Sequence, residues 1–196
     1  NNSVINMLEY AKNLEQKNER EKIINEVVSE IKNGKLKVKK INLDIKQEEF
    51  LNKFKIYIPK NFKLMPDKIA KAKYPSEARP NIIYTDKNNT CNIGLNYLNV
   101  LLTDDMVIEF RDAMKDAYLL ENKSAQIIEK SSFKVEDTTI AYYSFYSPAG
   151  DINMFNLISI LSIEDKPLII NFNCLEKDKE KLELLFFGIL KTIEII

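Results

Sequence analysis

Apolar positions in the first 33 residues fall into two helical stripes. Val4, Leu8 and Ala11 make one; Ile23, Ile24, Val27, Val28 and Ile31 make the other. Between them runs EQKNEREK, with no apolar member. The spacing predicts either one helix over 3–33 with a polar middle or two short helices. Asn33-Gly34 closes the pattern, because glycine accepts the left-handed backbone that ends a helix. Helices of this length are marginal alone in water, so this one must dock, on its own domain or on another chain.

Beyond Gly34 the period changes to two. KLKVKKINLDI alternates in each half but slips phase at Lys39-Lys40, which predicts an edge strand with a bulge or two short strands. QEEFLNKF is read as a helical turn. FKIYIP is a strand with Phe54, Ile56 and Ile58 inward, ended by Pro59. PDKIAKAKYP is a short helix between two prolines. NIIYTD and TCNIGLNYL are strands joined by KNN. In the second, Cys91, Ile93, Leu95 and Tyr97 share the apolar face of a half-buried strand, with Asn92, Gly94 and Asn96 on the other.

TDDMVIEFRDAMKDAYLLE predicts a helix with Thr103 as N-cap and a stripe of Val107, Phe110, Met114, Ala117 and Tyr118. Strands follow over 125–136, 139–147, 152–163 and 167–174. INMFNLISILSI, apolar on both faces, is central. The terminal helix EKDKEKLELLFFGILKTIEI buries Leu182, Leu185, Phe186, Ile189 and Ile193. Consecutive hairpins imply an antiparallel sheet sandwiched by helices, an α+β fold and not a parallel nucleotide-binding one. The chain divides into an extension over 1–45, helix plus edge strand, and an α/β domain over 46–196.

Composition narrows function more than fold. In 196 residues, 29 Lys and Arg balance 29 Asp and Glu, so the basic stripe of a nucleic-acid binder is missing. There is no His, which removes the commonest general base and every imidazole metal site, and two Cys do not make a thiolate site. No cofactor or metal is expected. No apolar run is long enough to span a membrane. The Asn-, Lys- and Ile-rich usage suggests a low-GC bacterial source. Two cysteines with no evident pairing favour the cytoplasm; a surface-anchored form whose leader or anchor precedes Asn1 is the alternative.

The candidate binding residues lie in YPSEARP: Tyr74, Glu77 and Arg79, in a loop stiffened by Pro75 and Pro80. Arg79 is suited to gripping a carboxylate or phosphate through paired hydrogen bonds, or to pinning its own loop. Cys91 and Cys174 fall on apolar strand faces and read as reduced, buried thiols with no base to activate them. Tyr142, Tyr143, Phe145 and Tyr146 occupy both faces of one strand; core packing takes one face, and the other is expected to lie under a helix, the alternative being an exposed stacking patch. Asp104 and Asp105 are explained by helix capping rather than by acid–base or metal chemistry.

The strand FKIYIPKNFKL, the helix after LTDD, the long antiparallel strands and the closing PLIINFNC running into ILKTIEI together resemble the Mog1/PsbP-like fold, over about residues 50–196. The resemblance implies an α/β/α sandwich. It also implies accessory or binding roles, since members include a Ran-binding nucleotide-release factor, a photosystem subunit and small bacterial proteins, with no common catalytic set. The leading expectation is a non-enzymatic protein-binding domain with an unidentified partner and undefined oligomeric state. It would present a sheet edge, the Pro75–Pro80 loop or the N-terminal helix. A small-ligand or lipid-binding module with a pocket between sheet and helix is second, and a His-free enzyme third.

Overall fold

The structure, a computed structural model, describes residues 2–196. One helix, α1 (Asn2–Lys32), spans the whole N-terminal pattern, polar middle included. The Lys39-Lys40 phase slip is real: β1 (Lys35–Leu36) and β2 (Leu43–Phe50) are separated by a 3-10 turn over Val38–Lys40, with Lys39 and Lys40 both at positive φ.

QEEFLNKF is not a helical turn. β2 runs through Phe50 and pairs with β3 (Phe54–Pro59) in the register Glu49↔Lys55 and Phe50↔Phe54. The reversal is the three-residue loop Leu51–Lys53, with Leu51 and Asn52 at φ +57° and +55° and the Lys53 amide donating to the Phe50 carbonyl at 2.9 Å. Pairing with β3 outweighs the local helical preference of Gln-Glu-Glu.

β4 (Lys63–Leu64), α2 (Asp67–Lys73), β5 (Ile82–Thr85) and β6 (Asn92–Tyr97) follow. α3 (Val107–Glu121) is entered through a 3-10 turn. Thr103 does not cap it: its hydroxyl goes to Asp105. Nor does Asp104, whose carboxylate accepts from the Thr139 amide at 2.8 Å and hydroxyl at 3.0 Å, tying the helix entry to the sheet. β7 (Gln126–Val135), β8 (Thr138–Ala149), β9 (Ile152–Ile163) and β10 (Lys166–Leu175) are the long strands, followed by α4 (Lys179–Lys191). A last two-residue strand, β11 (Glu194–Ile195), was not foreseen; it pairs with β3.

There are two sheets rather than one, both antiparallel. The small one has the order β1-β2-β3-β11 and the large one β4-β5-β6-β10-β9-β8-β7. α4 lies at the centre of the core. Phe186 stacks on Phe172 of β10 at 4.8 Å, and Phe187 meets Tyr142 of β8 at 5.0 Å. The terminal helix is buried well beyond its predicted stripe, because α1 and the small sheet close over its far side. α1 approaches at Gly188, where an added Cβ would stand 2.6 Å from Ile31 Cδ1 and 2.7 Å from Val27 Cγ1.

The opposite face of the large sheet is covered by α3 at one end and by α2 with its loop at the other. Under α3 lie Ala141, Ile160 and Ile169. β6 is therefore buried on both faces: Asn92 is only 2% exposed. The aromatic strand is likewise covered on both sides, with Tyr142 against Phe187 of α4 and Phe145 against Tyr118 of α3.

Candidate functional site

Two features stand out from the packed body. The first is the N-terminal part of α1. Its second stripe docks as the pattern predicts: Ile24, Val27 and Ile31 are buried in the main core. Arg20 makes a polar clamp at the point where the helix leaves the body. Its guanidinium reaches Glu183 of α4 at 2.8 Å and Glu129 of β7 at 3.3 Å, and sits 5.0 Å above the Phe187 ring. Glu129 in turn accepts the Tyr142 hydroxyl at 2.6 Å.

Before Arg20 the helix is exposed at every residue from 2 to 19, a rod of roughly 27 Å at 1.5 Å per residue. Met7, Leu8 and Tyr10 are 67–69% exposed, and Val4, Ile5 and Leu14 are exposed as well. Val4, Met7, Leu8, Ala11 and Leu14 share a side roughly 160° around the helix from Ile24, Val27 and Ile31, at 3.6 residues per turn. The first stripe thus faces away from the body that the second stripe grips.

The second feature lies on the outer face of the large sheet, in the gap between α3 and α2. The register Asn92↔Asn173↔Asn156 sets three asparagines abreast on β6, β10 and β9. They form part of a polar chain. Thr85 Oγ1 donates to Asn92 Oδ1 at 2.7 Å, Asn92 Nδ2 to Asn173 Oδ1 at 2.7 Å, and Asn173 Nδ2 to the Tyr74 hydroxyl oxygen at 2.6 Å. On the other side Asn156 Nδ2 donates to Ser147 Oγ at 2.9 Å and to the Met154 carbonyl at 3.3 Å.

These groups open onto a cavity of about 460 Å³, completed by Thr90, Asn89 and Lys73 and by an apolar wall of Ile152, Met154, Pro148, Ala149 and Leu175. Lys73 Nζ donates to the Asn89 carbonyl. Burial pushes the Tyr74 phenol above its ordinary pKa, against the opposing hydrogen bond from Asn173, so its proton stays on at neutral pH. One row along the same face, Asn171 Oδ1 is buried without a partner.

The three sequence-predicted residues separate. Tyr74 lines this cavity. Glu77 and Arg79 line a different, smaller depression of about 230 Å³ with Asp67 and Asn81. The Arg79 guanidinium donates to the carbonyls of Ser76 at 3.0 Å and Tyr74 at 3.4 Å, within its own loop, while Glu77 is exposed. Pro80 packs where a Cβ on Gly94 would meet it at 2.6 Å, which seats the loop on β6.

The sequence pattern puts Asn92 on the polar face of a half-buried strand and does not single out Asn156 or Asn173. The available signal was a polar residue interrupting strands otherwise apolar on both faces. It also passed over Arg111, which is 5% exposed on α3 and donates to the Ser131 carbonyl at 2.8 Å beside Asp112. Among the described residues no group of three or more His, Cys, Asp or Glu side chains is arranged to hold a metal ion. Cys91 and Cys174 are free and buried, as their parity predicts. Burial holds both thiols high, Cys174 at about 12 and Cys91 well above its ordinary value.

No family model matches the sequence, and no curated protein matches it. Solved structures do. Cyanobacterial PsbP (CyanoP) from Synechocystis sp. PCC 6803 superposes with a TM-score of 0.58 at 10% identity, covering 78% of this chain and 92% of that one. LpqN of Mycobacterium tuberculosis, a protein involved in cell envelope biogenesis, gives a TM-score of 0.47 at 13% identity over 72% of this chain and 82% of its own. The first likeness shows a PsbP-like fold, as the order of elements in the sequence indicated.

Proposed function

We propose that this chain, an α+β domain of PsbP-like fold, is a non-enzymatic accessory module that binds another protein through the projecting part of α1. One observation carries the reading. Residues 2–19 are exposed throughout, yet they carry an apolar stripe on the side turned away from their own domain. A free helical segment of that length is marginal in water and gains most from burying such a stripe. Positions 4, 7, 11 and 14 have the alternating three- and four-residue spacing of a helix–helix seam. The partner that fits is a protein offering an apolar helical face or groove, rimmed by polar residues to meet the mixed charges of EQKNEREK.

The test places a photo-crosslinking residue at Leu8, and separately at Lys12 off the stripe, in the source cell. The expected outcome is one discrete adduct from Leu8, of a mass other than twice that of the chain, which is lost on Ala11→Glu and is weak or absent from Lys12. An adduct of twice the chain mass reassigns the stripe to self-association. No stripe-dependent adduct sinks the reading.

A further inference from the structure

The asparagine-lined cavity has no part in that reading, and its chemistry is specific. Asn92 and Asn173 are 2% and 8% exposed, deep enough that polar side chains are retained there only when hydrogen-bonded. Their mutual bonds are made, and the chain ends at the Tyr74 hydroxyl, which accepts from Asn173 and keeps its own proton to donate into the cavity. Beside Asn173 on β9, Asn156 spends its amide hydrogens on Ser147 and Met154, leaving its side-chain oxygen to accept. A donor and an acceptor thus line the same cavity.

The lining excludes other ligand classes. It contains no carboxylate, so a cation finds no anionic partner. Its one charged group, the Lys73 ammonium, is exposed at the rim and stands alone, and a single solvated cation is a poor basis for phosphate or carboxylate capture. A fatty chain would press hydrocarbon against two buried amides. A peptide strand is recognised at a sheet edge by free backbone groups. This cavity lies over a sheet face, between β6, β10 and β9, all of them paired on both sides.

What remains is a neutral ligand rich in groups that both donate and accept, with one apolar side to lie against Met154 and Ile152. A pyranose has that form, with hydroxyls around its edge and C–H bonds on its face. The volume, about 460 Å³, falls within the range typical of small-molecule sites. We propose that this cavity is a binding site for a neutral saccharide, contacted by Tyr74 and Asn156, with Asn92 and Asn173 holding Tyr74 in place.

The experiment titrates the full chain with glucose, N-acetylglucosamine, cellobiose and chitobiose, reading the side-chain amide NMR signals of Asn92, Asn156 and Asn173. Acetyl-alanine-methylamide and laurate serve as peptide and lipid probes. The expected result is a saturable shift of these signals by at least one saccharide, with affinity weakened tenfold or more in Tyr74→Phe and in Asn156→Leu. Ser147→Ala, which removes the acceptor that holds the Asn156 amide, is a third variant expected to weaken binding should either of those unfold. Three results overturn the proposal: no saccharide shifts the amides at millimolar concentration, the peptide or lipid probe shifts them instead, or saccharide binding survives all folded cavity variants. Ala11→Glu on α1 leaves saccharide binding unchanged, so the two surfaces fail or succeed separately.

Discussion

At the scale of single residues, the titrating groups of the core act as proton holders. Burial raises the thiols of Cys91 and Cys174 and the phenols of Tyr142 and Tyr143 above ordinary values of 9.0 and 10.0. The folded state therefore keeps protons that the unfolded chain releases from about pH 9 upward, and unfolding gives up protons there. By linkage, stability from these groups is fully present below about pH 9 and falls as pH rises toward their folded values. Urea midpoints should be level from about pH 7 to 8.5 and should drop steadily above about pH 9.5. In native protein both thiols should resist a bulky disulfide reagent at neutral pH and react at once in denaturant. Rapid native labelling would show that the strands open far more readily than this packing implies.

At the scale of elements, the contact between α1 and α4 is the one most sensitive to a single atom. Gly188→Val fills the space held by Val27 and Ile31, and overpacking of this kind costs about 1–3 kcal/mol. The expected outcome is a loss of that size in chemical denaturation, with increased mobility of Ile24, Val27 and Ile31 in NMR relaxation. The glycine was visible in ELLFFGILK, but its reason was not, because it belongs to a helix 160 residues earlier in the chain. The same limit applies to the cavity. Period-two alternation told which face Asn92 occupies. It did not reveal that the register with β10 and β9 sets Asn173 and Asn156 beside it, or that the loop after α2 covers the row. Elements with a strong local pattern, the periodic stripes of α3 and the last turns of α1 and the apolar run of β9, were legible. Those decided by long-range pairing, β11 and the far end of β2, were not.

At the scale of the whole molecule, the chain is a closed two-sheet core with one rod standing out of it. Deleting residues 2–19 should change stability by no more than about 0.5 kcal/mol, because those residues are solvent-exposed and Arg20 is retained. The same deletion should leave saccharide titrations intact, because the cavity takes no residue from α1. A large fall in melting temperature would mean that the rod is structural, and would move the binding surface elsewhere.

The centre of this core is assembled from residues made long after α1. α4 fills the space between both sheets and α1, and β11 then completes the small sheet by pairing with β3, some 140 positions earlier. During synthesis, Ile24, Val27 and Ile31 leave the ribosome long before the surface they pack on exists. At 5–20 residues per second the interval is on the order of ten seconds or more. Throughout that time α1 carries two uncovered apolar stripes, on opposite sides. The second stripe therefore stays uncovered on the nascent chain until α4 emerges to receive it.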